Sequence, residues 1–222
     1  MSIHDLIFRL LSWIVPDKYE PPDPVGADAR TDIAVSVLQP VADKYGLTYR
    51  GPREWYSQEG PIRLTLRLTT EGKGNSHGEL RWGAGFDCVP DTDKGWTRTF
   101  KSAVTHIQEN WSTIHPDTLP RKTVSFMNGE EEMRKQLIDV LSESESDIEK
   151  FYARMATAEN AVAYLQEQIP KLPHYWRYDF YLPFLLKECG RQDEARASME
   201  DYLSKNPNIE PKYSDRWREI IG

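Results

Sequence analysis

Two stretches of alternating residues stand at the centre of the hydrophobic pattern. Residues 62–68 alternate aliphatic side chains with Arg and Thr, and residues 80–88 alternate apolar side chains with Arg, Gly and Asp. A period of two places the apolar positions on one face of a strand. The Gly-rich segment 71–78 lies between the stretches, so the pattern predicts an antiparallel hairpin with one apolar face. We expect the register that sets Arg63 opposite Asp87, because opposite charges across a ladder contribute ~0.2–1 kcal/mol.

Further elements flank this hairpin. A helical stripe over residues 28–45 predicts a helix, and residues 47–58 predict a strand that is interrupted at its centre by Gly-Pro. Residues 100–111 place Phe, Ala, Val, Ile and Trp on one stripe, which predicts an amphipathic helix covering the apolar face of the sheet. The short apolar run 123–127 is a candidate fourth strand.

After residue 128 the pattern is helical only. The sequence therefore predicts an α+β fold in which an antiparallel sheet of three to four strands is covered by helices and followed by an all-helical C-terminal part. Residues 1–26 are expected to form an N-terminal apolar helix and a Pro-rich linker, residues 27–128 the sheet domain, and residues 129–222 a helical region packed on it.

The charge balance restricts the classes of partner. The chain has 222 residues and a net charge of −7, with a pI of about 5.3. An acidic chain is poorly suited to direct binding of nucleic acid or of an anionic membrane. No stretch reaches the roughly 20 apolar residues of a membrane span. These properties favour a cytoplasmic protein or one with a basic partner.

The cysteines and the N-terminus agree with a reducing compartment. Cys88 and Cys189 lie far apart in sequence and are expected to be buried free thiols, one on the apolar strand face and one at a helix end. Residues 6–15 are apolar enough to resemble a signal-peptide core. Because Asp5 precedes them and no small-residue cleavage motif follows, we expect a short helix instead.

A search for catalytic and metal-binding patterns finds none that holds. The five histidines have no second ligand at a metal-binding spacing; they are His4, His77, His106, His115 and His174. The Gly-rich segment 71–78 is followed by a strand, whereas a phosphate-binding loop precedes a helix. We therefore predict no catalytic residue, no metal site and no bound cofactor.

Three arginines are expected to share the polar face of the predicted hairpin. Arg63, Arg67 and Arg81 occupy the polar positions of the two strands. They could bind an anion, or they could form a solvated or ion-paired face. The pattern alone leaves both interpretations open.

A second charged surface follows residue 129. Residues 130–150 carry eight acidic and three basic side chains, a net charge of −5. We call the eight acidic residues the acidic surface: Glu130, Glu131, Glu132, Asp139, Glu143, Glu145, Asp147 and Glu149. They are either a solvated helix face or a docking surface for a basic protein, where charge would accelerate association.

The order of elements resembles that of bacterial immunity proteins that neutralise polymorphic toxins. The resemblance rests on four features: Tyr45-Gly46-Leu47 before the first strand, Trp55-Tyr56, strand 62–68, and the Gly-containing segment 82–86. A helix pair around Gly190 also fits, and the likeness covers residues 27–203. It implies a cytosolic inhibitor without catalytic residues whose partner is a basic toxin domain.

Two other functions remain open from the sequence. One is a small-ligand-binding protein or enzyme that uses an aromatic-lined pocket on the sheet, with polar groups converging near Trp82 or Trp96. The other is a scaffold or adaptor that acts through the C-terminal helices.

Overall fold

A computed structural model describes residues 23–57, 60–71, 75–90, 105–118, 122–171 and 177–222. The described residues form an α+β fold, as the hydrophobic pattern predicts. The strands are β1 (Thr48–Gly51), β2 (Glu54–Tyr56), β3 (Ile62–Leu68), β4 (His77–Gly78), β5 (Leu80–Phe86), β6 (Ile107–Asn110) and β7 (Val124–Ser125). The helices are α1 (Ala27–Lys44), α2 (Trp111–Ile114), α3 (Glu130–Arg154), α4 (Ala158–Gln168), α5 (Tyr178–Glu188), α6 (Gln192–Lys205) and α7 (Pro211–Ile221).

The main sheet has five antiparallel strands in the order β1-β2-β3-β5-β6, and not the expected three to four. One extra strand arises because residues 48–56, within the single strand predicted over 47–58, form a hairpin. Gly51-Pro52 interrupts pairing, and Arg53 turns the chain with a φ of +64°. The predicted strand at residues 123–127 is present as β7, but it pairs with β4 in a separate two-stranded sheet.

The predicted register of the central hairpin is wrong: β5 is shifted by two residues relative to β3, compared with the expected pairing. Arg63 lies opposite Gly85, and Arg67 lies opposite Arg81. The prediction counted only directly opposed charges, whereas long side chains also reach diagonal neighbours. Arg63 Nη2 still lies 2.7 Å from Asp87 Oδ2, so the expected ion pair forms across a diagonal.

The predicted helix over residues 100–111 is also wrong where it can be compared. Residues 107–110 form β6, and the helix α2 begins only at Trp111. The apolar face of the sheet is instead covered by α1 and α3. Trp55 on that face donates from Nε1 to Gln39 Oε1 of α1 at 2.8 Å, and Tyr152 of α3 donates to the backbone oxygen of Thr65 at 2.8 Å.

The C-terminal helices pack through aromatic side chains. Phe180 of α5 is buried against Phe184, Tyr202 of α6 and Trp217 of α7, with ring centroids 4.8–5.2 Å apart. Gly190, with a φ of +73°, makes the turn between α5 and α6. The buried apolar residues of these helices belong to the same core cluster as the sheet.

Some predictions fall outside the described residues. They are the N-terminal helix within residues 1–22 and the first part of the predicted helix, residues 100–104, together with Trp96. In the described part of the chain, no helix is both long and apolar enough to cross a membrane. Cys88 and Cys189 are free and half-buried, and Cys88 lies just beyond the end of β5.

Candidate functional site

The acidic surface lies on the 25-residue helix α3. Its members do not form one continuous patch, because they occupy both flanks and the outer side of the helix. Glu130, Glu131 and Glu132 occupy the first turn, where the helix dipole favours negative charge. Asp139 and Glu143 are exposed farther along the helix, and Glu145, Asp147 and Glu149 follow near its C-terminal end.

Basic groups of distant segments neutralise one half of this surface. On one flank, Lys44 Nζ of α1 lies 3.4 Å from Glu145 Oε1 and 3.7 Å from Glu149 Oε2. On the other flank, Lys122 Nζ lies 2.9 Å from Glu143 Oε1. Lys44 and Lys122 are not counted in the sequence-local charge of −5, so the charge of the assembled surface is −3.

Asp147 is the most enclosed member of the acidic surface. Its Oδ2 lies 2.9 Å from His115 Nε2, and its Oδ1 lies 3.6 Å from Lys150 Nζ. The His115 ring also packs on Trp111, with centroids 4.9 Å apart. Asp147 therefore ties α2 to α3 and is not available as a free docking charge.

The outer side of α3 combines free charge with an exposed apolar residue. Ile138 is 49% exposed, the highest value for a large hydrophobic residue in the described part of the chain. Glu131 and Glu145 lie seven residues before and after it, on the same helical face at roughly 10 Å along the axis. Glu130, Glu131 and Asp139 make no ion pair with any described residue. Ile138 thus lies on an outward face with Glu131 and the Lys44-paired Glu145 two turns away on either side, and with the basic residues Arg134 and Lys135 one turn before it.

The three arginines on the polar face of the sheet form ion pairs with carboxylates. Of the two interpretations left open by the sequence, an anion-binding face or a solvated or ion-paired face, these contacts agree with the second. Arg67 lies 3.7 Å from Glu54 and also donates to Gln108. Arg81 lies 2.7 Å from Glu71 and 2.9 Å from Glu79. These carboxylates compensate the repulsion between the directly opposed Arg67 and Arg81.

A cavity of about 470 Å³ opens at the Arg81 end of this polar face. Its lining is polar and mixed in charge: Glu71, Glu79, Arg81, Asn110, Ser112, Thr113, His115, Pro116 and Thr118. Glu79 accepts from Arg81 and, at 3.0 Å, from Asn110 Nδ2, so much of the lining is already hydrogen-bonded. The remaining hydroxyl and carboxylate groups suit a small polar ligand.

Glu109 is a half-buried acid that the sequence did not identify. It lies on the apolar face of β6, opposite Trp82, and accepts a hydrogen bond from the Tyr164 hydroxyl. Burial raises the pKa of Glu109 above its ordinary value, and the hydrogen bond from Tyr164 partly offsets this. Burial and the nearby Glu109 also raise the pKa of Tyr164 and of Tyr178.

This group is better suited to structure than to catalysis. Glu109 is half-buried, and both its hydrogen-bond donor Tyr164 and the adjacent Tyr178 are only 4% exposed, so the group is part of the packing between α4 and the sheet. The Trp82 indole N–H lies near the same carboxylate without a hydrogen bond of normal geometry to any described residue. The cluster therefore anchors α4 to the edge of the sheet. An alternating apolar pattern at residues 107–111 would have indicated the strand, but the acidic residue at 109 interrupts it.

Other reactive groups in the described residues are inert or dispersed. Burial raises the pKa of the Cys88 thiol to about 12 and that of Cys189 to about 11, so both thiols stay protonated at neutral pH. His106 Nδ1 accepts a hydrogen bond from the Phe86 amide at 2.8 Å. No group of three or more His, Cys, Asp or Glu side chains within the described ranges could hold a metal ion.

Comparison with known proteins identifies no relative of this chain. No family model matches it, no curated protein matches it significantly, and no solved structure matches it significantly.

Proposed function

We propose that this chain is a cytoplasmic protein-binding module of the immunity-protein type, which neutralises a basic toxin domain by binding it directly. The observation that carries the proposal is the outer face of α3, where Ile138 is exposed with Glu131 two turns before it and Asp139 next to it in sequence. Interface hot spots combine an anchor that becomes buried with a rim that excludes water. Ile138 supplies the anchor, and the acidic residues attract and orient a basic partner.

Contacts within the chain favour some members of the acidic surface over others as partner contacts. Glu143 and Asp147 are held by Lys122 and His115, so a partner would have to compete with these contacts. Glu131 and Asp139 have no such competitor among the described residues. The proposed contact therefore centres on Glu131, Ile138 and Asp139.

The decisive experiment compares the unchanged chain with three variants as bait in lysate of the native cell, followed by kinetics with the captured protein. One variant carries Glu131→Lys and Asp139→Lys, and a second carries Ile138→Asp. A control carries Asp193→Lys and Asp201→Lys, which change the charge equally on the exposed side of α6. Circular dichroism and thermal unfolding verify that all three are folded.

We expect a basic partner whose association with the charge variant is about tenfold slower at low salt, because electrostatic steering acts on the association rate. Ile138→Asp should raise the dissociation rate about 30-fold, which corresponds to the ~2 kcal/mol of a hot-spot residue. The control should bind as the unchanged chain does. Equal capture by all forms, an acidic partner, or no specific partner at all would each refute the proposal.

The cavity beside Arg81 supports a second candidate, a small polar ligand. Its volume of about 470 Å³ lies within the ~300–1,000 Å³ typical of ligand sites, although its lining is more polar than usual. Saturation-transfer NMR against polar metabolites tests this candidate. Ser112→Phe fills the cavity and should abolish any binding there, so a ligand that binds this variant unchanged does not occupy the cavity.

A further inference from the structure

Two arginines from distant parts of the chain meet at one aromatic ring. The Phe126 side chain is fully buried. The guanidinium carbon of Arg30, on α1, lies 4.6 Å from the centroid of its ring, and that of Arg53, in the β1–β2 turn, lies 6.0 Å from it. The two guanidinium groups are therefore within about 11 Å of each other.

Neither arginine has a carboxylate partner among the residues that the structure describes. Eight other arginines do: Arg63, Arg67, Arg81, Arg154, Arg191, Arg196, Arg216 and Arg218. In a chain with an excess of acidic residues, two neighbouring cations without a counterion need an explanation. Burial, followed by the like charge of Arg30, lowers the pKa of Arg53.

Both guanidinium groups keep hydrogen-bond donors free. Arg30 uses Nε for Val25 O at 2.7 Å and Nη1 for Asn75 O at 3.3 Å, which leaves Nη2. Arg53 uses Nη2 for Thr70 Oγ1 at 2.9 Å, while its Nε is buried and finds no acceptor in the described ranges. A buried donor without an acceptor is unfavourable, so the Nε of Arg53 favours a bound acceptor.

The backbone holds Arg53 in a conformation that few side chains adopt. Its φ of +64° lies in the left-handed region, where Gly or Asn is usual. From this turn, the Arg53 guanidinium extends toward the Phe126 ring, which Arg30 also contacts. Thr70 contacts Arg53 through its hydroxyl, which can also donate to a ligand, and Asn75 contacts Arg30 through its backbone oxygen.

We propose that Arg30 and Arg53 form a binding site for a small tetrahedral oxyanion, either inorganic phosphate or the phosphate group of a phosphomonoester. Guanidinium groups recognise phosphate through paired charge-assisted hydrogen bonds. With hydrogen bonds of ~2.8 Å, one tetrahedral anion can bridge two guanidinium groups whose central carbons are up to roughly 8 Å apart. This separation is compatible with the upper limit of about 11 Å that the two ring distances set for Arg30 and Arg53. The anion supplies the missing counter-charge and an acceptor for the free donors. The site does not depend on the protein partner proposed above, since it uses neither α3 nor its acidic residues.

The test titrates the full chain with inorganic phosphate and, separately, with an alkyl phosphomonoester, while NMR follows the backbone amides at constant ionic strength. Arg53→Gly removes one guanidinium and leaves a residue that accepts the positive φ, so this variant keeps the turn. Arg30→Gln removes the other guanidinium. The control, Arg134→Gln, changes an arginine of α3 that also lacks a carboxylate partner among the described residues and bonds Ser36 Oγ instead.

We expect saturable shifts at Thr70 and Asn75, and an affinity about tenfold or more weaker in Arg53→Gly and Arg30→Gln, from the loss of a charge-assisted hydrogen bond. Arg134→Gln should bind as the unchanged chain does. Binding of the phosphomonoester alone would still support the site and would assign it to an organic phosphate. Shifts no larger than those produced by chloride, or equal weakening in the control, would overturn the proposal.

Discussion

Gly83 is the residue of β5 at which a single added methyl group should do the most damage. A Cβ atom at this position would lie 2.3 Å from the backbone oxygen of Ile107 and 2.4 Å from Cγ2 of Thr105. Real Cβ atoms essentially never approach a heavy atom within 3.0 Å. The nearest obstacle is the backbone of β6, which cannot rotate away as a flexible side chain can, so we expect Gly83→Ala to displace that strand.

The size of the effect follows from the geometry. The Ile107 oxygen must retreat by about 0.7 Å, the difference between 3.0 Å and 2.3 Å. A ladder hydrogen bond of ~2.9 Å would then lengthen to about 3.6 Å and cease to count as one. Losing about two such bonds at ~0.5–1.5 kcal/mol each, together with overpacking at ~1–3 kcal/mol, lowers the free energy of unfolding by about 2–6 kcal/mol.

Urea denaturation followed by tryptophan fluorescence measures this loss, and calorimetry should show a melting temperature lower by about 4–24 °C. Gly51→Ala is the matched control, because a Cβ atom there meets nothing within 4 Å. The control should stay within about 0.5 kcal/mol of the unchanged chain. If Gly83→Ala were equally benign, β6 could not lie against β5 as described, and the positions of Glu109 and the cavity would also be in error.

Two further predictions concern buried polar groups. Burial raises the pKa of Glu109, so the folded chain keeps the carboxyl proton at pH values where the unfolded chain has lost it. The protonated carboxyl therefore contributes to stability at low pH. This contribution is lost as the pH rises above about 4.5 and passes through the pKa of the folded state. Glu109→Gln should therefore show a smaller decline in the free energy of unfolding from pH 4.5 toward neutrality, and urea curves whose difference does not vary with pH would contradict this. Tyr152→Phe should cost about 1–3 kcal/mol, because it leaves the buried Thr65 oxygen without its 2.8 Å hydrogen bond; a loss below ~0.5 kcal/mol would show that this bond contributes little.

The strands were predictable where one face is uniformly apolar. In β3 and β5 the alternation is strict, and both strands begin at the predicted residues. The end of β3 also matches the prediction, whereas β5 ends at Phe86 and not at residue 88. In β6 it fails, because Glu109 occupies a position on the apolar face and is tolerated only through the hydroxyl of Tyr164, 55 residues away. Local periodicity contains no information about such a distant partner, so the segment was predicted as a helix.

The register of the hairpin illustrates the same limit for charges. Judged from two strands alone, placing Arg67 opposite Arg81 is unfavourable. The completed sheet supplies Glu54 from β2 for one arginine, and Glu71 and Glu79 for the other. A pairwise rule therefore selected the wrong register, since the deciding residues belong to segments outside the pair.

Counting charges along the sequence also overstated the acidic surface. Lys44 reaches Glu145 across 101 residues, and Lys122 reaches Glu143 across 21. A charged group that is already paired within its own chain must break that contact before it can bind a partner. The charges that indicate a binding site are therefore those without an ion pair within the fold. This criterion selects Glu131 and Asp139 beside Ile138 on α3, and Arg30 and Arg53 beside Phe126. The two sites are opposite in charge and share no residue, so substitutions at one should leave binding at the other unchanged.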